Sequence, residues 1–275
     1  MLMKEEAAKK GVFQKVTPQR EWSGTFHSPV TLPDVRVSDQ FGTQRKFNGK
    51  VQSVHQGLDY AVPLDAMANL HEVEIVFRLG GAFGINGPPP APHLTVDAAE
   101  ARRVHEALAQ RGFSHPLVGV HVSARKPSQR WPAERFVALM RALHERYGGA
   151  CMLFWSPGPS DHPQHPGDDE KAADIMRALG VFPVLPWPTE ELPALVAGLA
   201  ACDRLICSDG GAMHIATALG KPILCFFGQS DPVRWRPWGV PHHVLQPTSR
   251  EVGDVTVDQA LGAYCALHEA TSPAG

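Results

Sequence analysis

No stretch of the 275-residue chain is apolar for the length of a bilayer crossing. The longest nearly apolar run, Leu192 to Cys202, falls far short of the roughly 20 residues such a helix needs, so no transmembrane segment is expected. The charged opening MLMKEEAAKK is not followed by an apolar segment and does not read as a secretory signal, which makes the cytoplasm the expected compartment. Charge of a single sign is also scarce. With 26 Lys and Arg against 28 Asp and Glu, the formal net charge is -2 and the isoelectric point about 6.7, which leaves no basic field for nucleic acid. Cysteine is sparse and odd in number. Cys151, Cys202, Cys207, Cys225 and Cys265 include no Cys-x-x-Cys pair, so buried reduced thiols are expected rather than a disulfide framework.

What is present suffices for one large domain or two small ones, with 43% hydrophobic residues in short periodic runs. Charge is uneven along the chain: residues 1–63 carry nine Lys and Arg against six Asp and Glu, and the remainder is net acidic. From residue 117 onward, short β-type runs alternate with helical periodicity, the pattern of a parallel α/β sheet. LVGVH (117–121) reads as a buried strand. The helix after it places Phe136, Leu139, Met140, Leu143 and Tyr147 on one face, with Pro132 at its first position. ACMLF (150–154) is the next strand, and DDEKAADIMRALG the next helix, with acids in its first turn and Gly180 at its end. TEELPALVAGLAAC predicts a helix, RLICS (204–208) a strand, 212–219 a helix, ILCFF (223–227) a strand and 257–268 a last helix. The proline-rich segment 83–92 reads as a stiff exposed link. Residues 1–66 read as β-like pieces, GTFHSPV, DVRVSDQF and HQGLDYAV, separated by turns such as Asn48-Gly49.

Two constellations can carry chemistry. SDGGAMHIATALG (208–220) ends a strand in Asp209-Gly210-Gly211 and opens a helix at once, a junction that points backbone N–H groups at a phosphate. The glycines let a ligand approach the main chain, and Asp209 can orient amides or a sugar hydroxyl. A reading of equal weight makes Asp209 a helix cap, the glycines a tight turn and His214 a packing residue. HVSARKPSQRWP (121–132) gathers Ser123, Arg125, Lys126, Ser128 and Arg130, cations and hydroxyls that suit a diphosphate; the plainer reading is a solvated basic loop. Both segments follow strands of one predicted parallel sheet and so open on the same edge, which favours the ligand reading.

WPAERF and the run CDRLICSDGGAMHIATALGKPILCFFGQSDPVRWRPWG resemble glycosyltransferase family 9, the ADP-heptose:lipopolysaccharide heptosyltransferase family, from about residue 68 to the end. The resemblance implies the C-terminal, donor-binding half of a GT-B glycosyltransferase, a Rossmann-like parallel sheet with flanking helices. It implies metal-independent, inverting transfer of a heptose or related sugar from ADP-heptose or a similar nucleotide sugar to a lipopolysaccharide core or other glycan acceptor. No cofactor is implied, and no membrane association beyond peripheral contact at the inner membrane face. By the same resemblance Asp209, Gly210, Gly211 and His214 surround the donor's sugar and diphosphate, and Ser123, Lys126 and Arg130 meet the phosphates. Glu170 would lie near the ribose, with Asp168 and Asp169 competing for that place. Gly210 departs from the family pattern, which commonly has Thr there, and loses a hydroxyl contact. The family's catalytic base lies in an N-terminal half that nothing before residue 66 resembles, so a donor-binding module without turnover is the alternative.

Residues 22–63, with FHSPV and RVSDQFGTQRKFNGKVQSVHQGLDYAVP, instead resemble the start of a lysostaphin-type (LytM-like) zinc endopeptidase. That resemblance makes His55 and Asp59 a remnant pair of zinc ligands. The chain has no His-x-His to complete them, so residual zinc affinity stays open while hydrolysis is not expected; a zinc metallopeptidase fusion remnant is the further alternative, and a polar pair on a β-hairpin is the plainer reading. The expected division is residues 1–66, a β-rich peptidase-like fragment, and 67–275, a nucleotide-sugar-binding domain.

Overall fold

A computed structural model describes residues 36–39, 44–47, 50–54, 59–61, 69–113, 115–162 and 166–272, the first four segments by backbone alone. The chain divides into two compact units, one of residues 1–66 with 75–87 and the other of residues 67–74 with 88–275. In the first unit, β1 (Arg36–Asp39) pairs antiparallel with β4 (Asp59–Ala61), and β2 (Gln44–Phe47) pairs antiparallel with β3 (Lys50–Val54). Phe47 opposes Lys50 across the expected Asn48-Gly49 turn. That turn, GTFHSPV and His55 lie outside the described residues. A short helix, α1 (Glu72–Phe77), follows in the chain.

The second unit is built on six parallel strands: β5 (Leu117–His121), β6 (Ala150–Trp155), β7 (Val184–Pro188), β8 (Arg204–Ser208), β9 (Ile223–Phe226) and β10 (His242–Leu245). Their spatial order is β10-β9-β8-β5-β6-β7. The chain runs outward from β5 through β6 to β7, returns to β8 on the other side of β5, and runs outward again to β10. This is the doubly wound, Rossmann-like order, and the α/β architecture that the sequence predicts is the one present.

The central strands are apolar on both faces because helices cover both. Alternate residues point to opposite sides. Val118, Val120, Leu153, Ile206, Leu224 and Phe226 pack with α3 (Ala133–Tyr147), α4 (Asp169–Leu179) and α8 (Val257–Thr271), where Phe136, Leu139, Ile175 and Tyr264 are buried. Leu117, Met152, Phe154, Leu205, Cys207 and Ile223 pack with α2 (Ala98–Arg111), α5 (Leu192–Ala201) and α6 (Gly211–Ala218), through Val104, Leu199 and Met213. Gly198 lets α5 lie close to the sheet, since a Cβ there would stand 2.6 Å from Phe154 Cε1. All five cysteines are free and buried, as expected, and burial pushes the Cys151 thiol up to about 12.

Besides the short helices α1 and α7 (Pro232–Trp235), three elements escape the sequence pattern. Helix α2 buries little but Val104, so its apolar stripe is faint, although Asp97 caps it by accepting from Ala99 N and Glu100 N, and Gly112 ends it in the left-handed region. Strand β7, VLPWP, carries two prolines, which a sheet tolerates at an edge, and β7 is an edge strand. Strand β10, HHVL, is half-buried at the other edge. Small shifts occur elsewhere: Pro132 is the N-cap of α3 rather than its first residue, and α8 runs to Thr271, opened by a reciprocal capping box between Thr256 and Gln259.

Candidate ligand cleft

The strand order reverses between β5 and β8, and the segments leaving their carboxyl ends diverge there. Open α/β sheets bind ligands at such a point. A cleft of about 620 Å³ occupies it, floored by Ser208, Asp209, Gly210 and Gly211 at the end of β8 and walled by His121, Ser123 to Lys126 and Gln129 at the end of β5.

The β5 wall follows from how that loop is held. Ser123 Oγ accepts a hydrogen bond from Ser156 N at 2.9 Å, which leaves its hydroxyl hydrogen free to donate into the cleft it lines. Arg125 and Lys126 are exposed cations on the lining. The chain then makes a 3-10 turn, Pro127–Gln129, and is anchored by Trp131, fully buried, whose Nε1 donates to Val255 O at 2.8 Å and whose ring meets Phe136 edge-on. His121, at the carboxyl end of β5, is pushed down to about 4, first by desolvation, with the Lys171 ammonium acting the same way against a hydrogen bond to the Ser123 backbone. At neutral pH it presents an uncharged imidazole to the cleft.

The β8 floor works through main chain. Gly210 is the N-cap of α6, and the first-turn amides of Gly211 and Ala212 have no intrahelical acceptor, so an anion here meets free N–H groups and the positive end of the helix. Asp209 N donates to Phe226 O at 2.9 Å, while its carboxylate accepts from Gln129 Nε2 at 2.8 Å. Asp209 is therefore not the helix cap. The far wall, Thr189, Glu191, Leu192, Leu195 and Ile215, joins an exposed carboxylate to an apolar face.

Of the residues singled out in the sequence, the structure brings Ser123, Arg125, Lys126, Asp209, Gly210 and Gly211 onto one lining. Ser128 is buried off that lining, and three others stand apart. Arg130, expected at the phosphates, pairs instead through Nη1 with Asp168 Oδ1 at 2.8 Å, because Asp168 is almost fully enclosed and needs a cation. Glu170, expected near the ribose, is exposed in the first turn of α4 and does not line the cleft. Its competitors are occupied too: Asp169 accepts from Trp155 Nε1 and Gly158 N. His214 lies one turn into α6, exposed, with its ring 6.4 Å from that of Trp235, and is off the lining. The sequence reading passed over Gln129, Thr189 and Glu191. Gln129 stands inside the quoted basic segment but carries no charge to draw attention, and Thr189 to Leu192 follow the strand that prolines disguise. Among the described residues no group of three His, Cys, Asp or Glu is placed to hold a metal ion; His55 lies outside them, and only the backbone of Asp59 is described.

The model of glycosyltransferase family 9 (heptosyltransferase) matches residues 40–259. The match begins well before residue 68, where the motifs place its start, and enters the segment that resembles a zinc endopeptidase; nothing in these comparisons supports that second resemblance. Lipopolysaccharide heptosyltransferase 3 of Escherichia coli is 27% identical over 157 residues, 57% of this chain and 44% of that protein. Among solved structures, a glycosyl transferase family 9 protein from Veillonella parvula superposes with a TM-score of 0.65 at 20% identity, over 74% of this chain and 61% of that one. The E. coli ADP-heptose lps heptosyltransferase II superposes with a TM-score of 0.55 at 25% identity, over 68% and 56%. The chain spans about half the length of the curated relatives it matches.

Proposed function

The chain belongs to glycosyltransferase family 9, and from that membership and the shape of its cleft we propose that it binds a nucleoside diphosphate sugar, ADP-heptose or a close relative, as the donor for transfer to a lipopolysaccharide core or similar glycan. The observation that carries this reading is the convergence of Ser123, Lys126 and the first-turn amides of Gly211 and Ala212 on one cleft at the reversal point of the sheet. Lys126 supplies a point charge and Ser123 a neutral donor to the diphosphate, and the opening turn of α6 adds its dipole.

The same groups favour breakage of the bond between sugar and phosphate. As that bond lengthens, negative charge gathers on the departing diphosphate, and donors already aimed at it stabilise the transition state more than the ground state. Glu191 is suited to accept from the ribose hydroxyls, and Leu192, Leu195 and Ile215 to flank the base. The acceptor hydroxyl needs a general base, and no residue of this cleft is assigned to it. Compartment follows the same reading: a nucleotide sugar donor places the protein in the cytoplasm, working at the inner membrane face where glycolipid acceptors are built. Among the described residues no helix is long and apolar enough to cross a membrane.

Calorimetric titration of the full chain with ADP and ADP-heptose tests the proposal, alongside Asp209→Ala and Lys126→Ala. Saturable binding of both ligands is the expected result, with Lys126→Ala weakening both and Asp209→Ala weakening ADP-heptose. A folded chain that binds neither would overturn it.

A further inference from the structure

Gln129 is almost fully buried although it belongs to an otherwise polar turn, and its side-chain amide nitrogen, backbone N–H and backbone carbonyl are all hydrogen-bonded. Its side-chain Nε2 donates to Asp209 Oδ2 at 2.8 Å and to Ser230 Oγ at 3.1 Å, and its backbone carbonyl accepts from Ser208 Oγ at 2.7 Å. Gly228 brings the segment after β9 against the same turn, where a Cβ would stand 2.6 Å from Ser128 O. Gln246 Nε2 holds that segment from the far side, donating to Gly228 O and Ser230 O. The connections leaving β5, β8 and β9 are thus tied together at one amide.

An amide is a particular choice of clamp. It fixes one oxygen of Asp209 without cancelling the carboxylate's charge, as a lysine or arginine in its place would. Asp209 Oδ1 has no protein partner among the described residues and stays a full-strength acceptor on the cleft floor. Such an oxygen repels a phosphate and attracts a hydroxyl, whereas Lys126 and the glycine amides do the reverse. Resting on the donor-site reading above, we infer that Gln129 is a positioning residue for sugar recognition: it aims Asp209 at a hydroxyl of the donor's sugar and divides the cleft into a hydroxyl-binding side and a phosphate-binding side.

The inference separates sugar from nucleotide, and so does its test. Gln129→Met keeps the volume and removes the donor; Gln129→Glu keeps the shape and sets a second acceptor against Asp209. With ADP and ADP-heptose titrated into the full-length variants, ADP-heptose is expected to bind about tenfold more weakly and ADP within about twofold of the parent, the loss of one hydrogen bond to a charged group. In a double-mutant cycle, Gln129→Met added to Asp209→Asn should cost nothing further for ADP-heptose. A role confined to holding the turn would weaken both ligands in parallel and add to Asp209→Asn, and either result, or unchanged affinity for ADP-heptose in both variants, overturns the inference. The parent chain keeps the two proposals distinct. If it binds neither ligand, the donor-site reading has failed; if it binds ADP-heptose and the variants show no selective loss, only the role of Gln129 has.

Discussion

The turn after β5 offers a ligand its side chains, and the turn after β8 offers its main chain. Ser123, Arg125 and Lys126 project from the first, while the second presents glycine amides and the opening of α6 beside one acidic side chain. Anion sites can be made either way, but the costs differ. Side-chain cations need enclosed counter-charges wherever they are not wanted free, and the β5 turn shows this: of its cations, Arg130 is committed to buried Asp168. Main-chain donors need only close approach.

The sharpest way to break the comparison is to exchange the fates of the cations. Arg130→Ala leaves the Asp168 carboxylate buried beside no guanidinium and is expected to destabilise the unit by about 3 kcal/mol or more, read by urea unfolding. Equal loss in Lys126→Ala would erase the distinction between a structural and a ligand-facing cation. Next in size, Gly228→Ala sets a Cβ against Ser128 O and is expected to cost about 1 to 3 kcal/mol and to weaken ligand binding through the displaced turn. Lys126→Ala should leave stability unchanged and weaken ADP binding about tenfold, with the difference from the parent shrinking as salt rises. The smallest effect is expected from pH, since one imidazole carries it. His121 titrates near 4 when folded and near 6.5 when unfolded, so between these values the unfolded chain takes up a proton that the folded chain excludes. Its contribution is complete above about pH 6.5 and is lost as pH falls toward 4; the melting temperature of His121→Gln should therefore decline less steeply across that window than the parent's.

The central strands were legible because each is buried on both faces and reads as an unbroken apolar run. Helix α2 and strands β7 and β10 were not, because an Ala-rich helix touching the sheet mainly at Val104 and two half-covered edge strands leave little periodicity to detect. The candidate site divides in the same way. Ser123, Lys126 and Asp209 to Gly211 lie directly after strands, where the topology brings them together, so their positions in the chain were enough. Arg130 is paired with Asp168 and Glu170 is exposed in the first turn of α4, both off the cleft lining, an outcome that residue type does not encode.

By itself the sequence determined the parallel α/β plan, the strand ends that carry the cleft and the family. These rest on local hydrophobic pattern and on residues close together in the chain. Tertiary structure alone decided which cation is free and which is paired, that one oxygen of Asp209 is held while the other is left to the cleft, and that Gln129 joins three loops. Those outcomes depend on contacts between residues 38 to 101 positions apart, where enclosure from solvent, rather than chemical type, sets what each polar group does.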